Sequence, residues 1–330
     1  MHIHRISLQN TEFEGNNNAY LLGDTDPVLI DPGVATDATR EQLAAGLADH
    51  DLEFRDVDRI FLTHWHADHA GLAGELQEIS GAEVYAHEGD ASLVAQGAAG
   101  WEAQVARHDP LYDAWGMPAA KRTELRTFFE EHRRVRGRPV DVTPVADGDA
   151  FVADGVAGTV AHLPGHTAGL AGLDFEVAEG RILFGGDVLL PKYTPNIGGA
   201  DVRVEAPLAT YLDTLRTLAS RGYGRVYPGH RDPISAPAAR AAEIVEHHRD
   251  RAERVLGVVR EKQPVDAWTV SAELFGELEG IHVLHGPGEA SAHLTHLARH
   301  AVLEATESGY VTAEDAEAKL ANSLPSRTRP

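Results

Sequence analysis

His64-Trp65-His66-Ala67-Asp68-His69 places four side chains of metal-ligand type within six residues. Just upstream, Asp58 to Thr63 carries the apolar run Ile60-Phe61-Leu62, which predicts a strand. Just downstream, Ala70 to Ile79 has helical spacing. Alternate residues of a strand point the same way, so His64 and His66 at its end aim two imidazoles at one point. Asp68 and His69, at the turn into the helix, face a second point. One tetrahedral ion does not easily use all four groups, whereas two ions about 3.5–4 Å apart do. Without a cation, four such groups at one turn repel and desolvate each other.

Three more groups recur at predicted strand ends, each beside glycine. His166 lies in Leu163-Pro164-Gly165-His166-Thr167, Asp187 in Gly185-Gly186-Asp187, and His230 in Tyr227-Pro228-Gly229-His230. Glycine beside a ligand lets the backbone approach an ion and turn sharply. The chain has no cysteine, so thiolate ligands, disulfides and a cysteine nucleophile are excluded. Any metal is held by imidazole and carboxylate, and 19 histidines supply the first. One histidine among so many is ordinarily a surface or core residue; the cluster and the order of the later groups carry the inference.

His-x-His-x-Asp-His, then Gly-His, Gly-Asp and Gly-His, in this order, resembles the metallo-β-lactamase superfamily over roughly residues 1–235. The resemblance implies an α/β fold, a four-layer αββα sandwich with the site at one edge. It implies that His64, His66 and His166 hold a first metal, that Asp68, His69 and His230 hold a second, and that Asp187 bridges them. The implied cofactors are two zinc ions, with iron or manganese as other divalent candidates. Two cations sharing one water acidify it, so hydroxide is available near neutral pH. Asp68 is then the catalytic residue that orients this hydroxide and takes its proton. Asp31, at the end of an early strand, resembles the family's Asp-x-Gly position that supports the ligand loops; a plain turn aspartate is the competing reading. Thr167, Lys192 and Tyr193 follow ligands closely, as hydrogen-bonding or anion-binding groups or simply as loop residues.

The favoured activity is hydrolysis of an ester, thioester or lactone bond in a small molecule. The alternative is a metal-dependent endoribonuclease or phosphodiesterase, with a basic groove built from Arg133, Arg134, Arg136 and Arg138. A second alternative is a mononuclear iron, persulfide-dioxygenase-like oxidoreductase using His64, His66 and Asp187-type ligation. β-Lactam hydrolysis is disfavoured, because a cysteine ligand and a secretion signal are both missing.

Outward from the site, strand and helix alternate through the first 90 residues. A helical insertion is expected at about 95–138, where Trp101, Val105, Leu111, Tyr112, Trp115, Leu125, Phe128 and Phe129 offer an apolar substrate wall. Strands resume at Val140–Val145, Ala150–Ala153 and Gly158–Leu163, followed by a hairpin across Ala178-Glu179-Gly180. Helices are expected at Pro207–Ser220 and Ala236–Arg260, the latter broken by Gln263-Pro264. The catalytic domain is thus 1–235, and 236–330 is a helix plus a small C-terminal domain. From Thr269 onward, a Gly-rich break and a His293–Leu303 helix resemble the winged-helix-like tail of the β-lactamase-like protein 2 group. Arg299 and Lys319 stand nearly alone there, so a packing role is favoured over nucleic-acid binding. His293, His296 and His300 share a helix face, read as a solvated histidine face, with a third metal site as the alternative.

Composition bounds the partners. Lys+Arg number 29 against 51 Asp+Glu, a formal charge of −22, which repels nucleic acid and acidic membranes at low salt. Excess acid with only four lysines resembles the proteins of salt-loving archaea. No run of about 18 apolar residues occurs and the start lacks a signal-peptide layout, so a cytoplasmic, halophilic enzyme with no membrane partner is expected. No feature identifies an oligomer interface.

Overall fold

Two mixed sheets carry the site residues in the computed structural model, which describes residues 1–10, 15–96 and 98–325, the side chains of 98–105 excepted. The first sheet runs β1 (Ile3–Leu8), β2 (Asn17–Leu22), β3 (Val28–Ile30), β4 (Arg59–Leu62), β5 (Glu83–His87) and β6 (Val142–Val145), in that spatial order. Its first three strands are antiparallel, and β3 to β6 are parallel. The second sheet has the order β11 (Arg225–Pro228), β10 (Gly180–Gly186), β9 (Ala171–Val177), β8 (Val156–His162) and β7 (Ala150–Ala153). It is antiparallel except for the parallel β10–β11 pair.

The two-residue period of the strands sorts their side chains into two cores. On β2 and β4, Ala19, Leu21, Ile60 and Leu62 join Leu43 and Leu47 of α1 (Asp37–Ala48), Leu76 of α3 (Ala73–Ser80) and Val94 of α4 (Glu88–Val94). Tyr20, Leu22 and Phe61 turn the other way and meet Phe151, Phe175 and Phe184 of the second sheet. The central strands are therefore covered on both faces, which is why they read as unbroken apolar runs. Phe61 and Phe151 meet edge-on at 5.6 Å, as do Tyr20 and Phe184 at 5.3 Å. Each such buried ring stabilises the sandwich by about 1.5–3 kcal/mol.

The helix expected over 70–79 is two helices, α2 (Ala67–Ala70) and α3, interrupted at Gly71-Leu72. The Asp31–Gly33 loop causes the break. Gly33 N–H donates to His69 O at 3.2 Å, and Leu72 N–H donates to Gly33 O at 3.0 Å. Asp68 and His69 thus sit on a short helix of their own, pinned to the end of β3.

These strands and α1 to α4 belong to a compact unit of Met1–Glu102, His132–Pro195 and Arg221–Pro237. A second unit takes Ala103–Glu131, Asn196–Ser220 and Ala238–Pro330. Its elements are α5 (Ala98–Ala114, entering from the first unit), α6 (Ala119–Glu131), α7 (Pro207–Ser220), α8 (Pro237–Lys262), α9 (Ala267–Phe275), α10 (His282–Arg299), β12 (Leu303–Thr306), β13 (Gly309–Thr312) and α11 (Ala316–Leu320). The insertion is helical as expected, but Tyr112, Trp115 and Leu125 are buried, and Trp115 O accepts from Trp268 N–H at 2.8 Å. These residues build the core of the second unit rather than an open substrate wall. Trp101 and Val105 fall outside the described side chains, and the last five residues of the polar tail lie outside the described residues.

The Gly-rich break expected before residue 293 is helix: α10 runs through Gly286-Pro287-Gly288. A Cβ on Gly288 would lie 2.3 Å from Gly199 Cα, so the residue serves close backbone packing against the helix. The supposed solvated histidine face is also overturned. His293 and His296 are buried, and only His300 of the three is exposed. Among the described residues, no helix is long and apolar enough to cross a membrane.

Candidate metal centre

The seven candidates converge at one edge of the first unit. His64 and His66 follow β4, with Asp68 and His69 on α2. His166 lies between β8 and β9, Asp187 directly follows β10, and His230 lies just past β11. The parallel β10–β11 pair sets Gly186 opposite Pro228, across an irregularity after Phe184, so both strand ends emerge together. The two sheets are joined here: Ala171 N–H donates to Thr63 O at 2.9 Å, and Asn18 N–H donates to Gly229 O at 2.7 Å.

Three groups result, each with its ligand atoms within 4.8 Å of one another: His64, His66 and His166; His64, His69 and Asp187; Asp68, His69 and His230. In the first, His64 Nε2 and His166 Nε2 lie 2.9 and 3.1 Å from His66 Nδ1. In the last, His230 Nε2 is 3.5 Å from Asp68 Oδ2, and His69 Nε2 is 3.8 Å from it. Asp187 Oδ2 stands 3.4 Å from His230 Nε2, 3.6 Å from His69 Nε2 and 4.0 Å from His166 Nε2. It has contacts on both sides, to His166 and to His69 and His230.

The far side of three rings fixes their tautomers. Asp31 Oδ2 accepts from His69 Nδ1 at 2.9 Å and from Thr63 Oγ1 at 2.7 Å, while Asp31 Oδ1 accepts from Thr63 N–H at 2.8 Å. Thr63 Oγ1, having donated to Asp31, accepts from His64 Nδ1 at 3.0 Å. Asn16 O accepts from His230 Nδ1 at 3.2 Å. Each ring therefore points its Nε2 inward, the atom that a ligating histidine offers once it has lost its proton. Asp31 is thus more than a turn residue. Its bonds lock one ligand directly and a second through Thr63.

Burial leaves two atoms at the site with nothing to bind. His69 Nε2 and Asp187 Oδ1 have no hydrogen-bond partner among the described residues. A buried polar atom without a partner costs about 1–3 kcal/mol, so two aimed at one point fit a site that takes cations. The electrostatics agree. Burial, then neighbouring His69 and His66, hold His64 well below the usual imidazole range. Burial opposes charge on His69 too, but Asp187, Asp68 and Asp31 outweigh it and raise that ring well above the range. His230, likewise buried but facing Asp187 and Asp68, is pushed up to about 10. For Asp68, burial favours the neutral acid, yet His69 and His230 win and hold it far below the carboxylate range.

Four supporting residues were not among the candidates read from sequence. Thr63 is one. Asn17 Nδ2 and Asn10 Nδ2 donate to Asp68 Oδ2 at 3.2 and 3.4 Å, and Asn10 also holds Asn17 Oδ1 at 2.7 Å. The asparagine run 16–18 was the available signal, but it reads equally as a polar turn. The fourth, Asp90, is fully buried on α4. Its Oδ2 accepts from Thr167 Oγ1 at 2.7 Å, and its Oδ1 from Gly169 N–H at 2.9 Å. It thereby clamps the His166 loop, and no local pattern announces it. Asp90→Ala is expected to weaken divalent-metal binding at the His64, His66 and His166 group about 10–100-fold. Titration against a chelating dye reads this, and unaltered affinity would remove Asp90 from the role.

Lys192 and Tyr193 are exposed on this unit's surface. Tyr193 is exposed, with Lys192 Nζ 5.3 Å and the Arg231 guanidinium 4.8 Å from its ring centre. Of the arginine run, Arg138 is ion-paired with Glu78, and burial, together with Arg133, lowers Arg136 to about 10.

Residues 13–230 match the family model described as the metallo-beta-lactamase superfamily. A "Probable metallo-hydrolase" of Bacillus subtilis (strain 168) is 29% identical over 304 residues, covering 89% of each chain. An "Atrochrysone carboxyl ACP thioesterase" of Aspergillus chevalieri is 23% identical, covering 80% of this chain and 67% of that one. Among solved structures, a metallo-beta-lactamase family protein from Thermus thermophilus superposes with a TM-score of 0.78. It has 29% sequence identity and covers 94% of this chain and 98% of that one.

Proposed function

The chain belongs to the metallo-β-lactamase superfamily and is a metal-dependent hydrolase; from that premise we propose that it holds two zinc ions and hydrolyses an ester, thioester or lactone bond in a small molecule. The observation that carries the reading is the convergence of seven side chains, with His64, His69 and His230 each held through Nδ1 so that Nε2 points inward. His64, His66 and His166 are the ligands of one ion. Asp68, His69 and His230 would hold the other, and Asp187, within reach of both groups, would contribute to each. When bound, such a pair of ions supplies Lewis acidity and an acidified water.

The chain's own groups do the rest. Asn10 and Asn17 fix the Asp68 carboxylate. Held ionised, Asp68 orients the attacking water and accepts its proton. Asp31, Thr63 and Asn16 O keep three imidazoles from rotating as charge moves through the site. The thioesterase named among the relatives favours a thioester among the three bond types. A screen of the zinc-loaded protein at high salt on thioesters, lactones and single-stranded RNA tests the reading. Turnover of thioester or lactone is expected; cleavage of RNA alone would replace the reading with that of a nuclease.

A pH dependence follows from the same charges. A zinc ion must displace protons from His69 and His230, whose pKa values are raised, but not from His64, which is neutral throughout. Loading of the Asp68, His69 and His230 group therefore strengthens as pH rises and is lost first as pH falls. Zinc held by these two groups, followed from about pH 8 to about pH 5, is expected to step from two ions to one before the last leaves. Simultaneous loss of both would contradict the two-group assignment.

A further inference from the structure

We propose that the second unit carries a metal site of its own, in which His248 of α8 and Glu289 and His293 of α10 hold one divalent ion of the zinc type. All three are buried, and their ligand atoms lie within 4.8 Å of one another, as in the groups of the first unit. Glu289 and His293 are four residues apart on α10, so both face the same way, toward His248 on the other helix.

The spacing is that of ligands. His248 Nδ1 and His293 Nε2 are 3.3 Å apart. Two nitrogens at about 2.0–2.1 Å from a tetrahedral zinc ion are about 3.3–3.5 Å apart. The orientation is also set. Glu289 O accepts from His293 Nδ1 at 2.9 Å, so His293 presents its unprotonated Nε2 toward His248. Glu289 is held by Arg251 Nη1 on Oε1 at 2.8 Å and by Asn196 Nδ2 on Oε2 at 3.1 Å. A ligating carboxylate is ordinarily held in just this manner by outer partners. Burial drives His293 down to about 3 and lowers His248 as well, so both rings are neutral and can ligate near neutral pH.

The competing arrangement is a plain N–H···N bond between the two rings with no ion. His248 Nε2, on the far side of the ring beside Tyr211 at 5.7 Å, is buried without a hydrogen-bond partner among the described residues in either arrangement, so a metal count decides between them. Arg251 opposes a second positive charge. The ion here is therefore bound more weakly than those of the first unit and is the first removed by a chelator. It clamps α8 to α10 and takes no part in hydrolysis.

The test is a metal count on the whole chain, equilibrated with zinc and freed of excess. The wild-type protein is expected to hold three ions and His293→Gln two, with unaltered turnover of a model thioester. Because His293→Gln can unfold the unit, a second chain is measured in which His64→Ala, His69→Ala and Asp187→Ala disable the first site. That chain is expected to retain one zinc ion, and cobalt substituted for it to give tetrahedral d–d absorption. A wild-type count of two, with none in the disabled chain, would overturn the proposal while leaving the hydrolytic site intact.

Discussion

Asp68→Ala is expected to lower kcat about 10³-fold or more, with the fold retained. Asp68 lies in neither hydrophobic core, so its loss opens no apolar cavity. What it removes is specific. Its carboxylate stands 3.5 and 3.8 Å from His230 and His69, and two asparagine amides hold it in place. Those amides and rings remain in the variant, and Asp187 still faces His69 and His230, but the carboxylate held by the asparagines to receive the water's proton is gone. Asp68→Asn sharpens the test, since it keeps the volume and loses the charge. It is expected to be nearly as slow as the alanine variant, with an unchanged circular dichroism spectrum. Turnover near the wild-type rate in either would falsify the assignment of Asp68 as proton acceptor.

The site was legible because its residues obey local rules. A strand end puts His64 and His66 on one side, and the later candidate ligands each mark the end of a strand beside glycine. The strands themselves were legible from apolar runs such as Ile60-Phe61-Leu62, which both cores bury. What the pattern could not reveal is set by partners distant in the chain. The split of α2 from α3 depends on hydrogen bonds to Gly33, some forty residues away. The continuation of α10 through Gly286-Pro287-Gly288 contradicts local propensity, and close packing against Gly199 explains it. Asp90 and Asn10 look like ordinary polar residues until the fold brings them to the ligand loops. Buried histidines mislead for the same reason: a polar ring at helical spacing reads as solvated until a second helix covers it.

Gly229→Ala is expected to cost the enzyme about 10–100-fold in turnover and one of the two proposed metal ions. The argument is one of volume. A Cβ at this position would lie 2.4 Å from Asp187 Oδ1 and 2.5 Å from His69 Cε1, inside the van der Waals surface of two ligand groups. Neither can retreat. His69 is fully buried and tied to Asp31, and Asp187 follows directly on β10. The backbone cannot yield either, because Gly229 N–H donates to Gly186 O at 2.8 Å and Gly229 O accepts from Asn18 N–H at 2.7 Å. The methyl must therefore displace His69 or Asp187 from the point where the two groups meet. Overpacking of this kind costs about 1–3 kcal/mol of stability, which a fall in Tm would report. Gly224→Ala is the control, since its Cβ would meet only Arg181 O, at 3.7 Å, and should change neither metal content nor rate. If Gly229→Ala keeps both ions and full activity, then His69 and Asp187 do not share an ion-filled space against this backbone. The second metal would then have to be held by other groups.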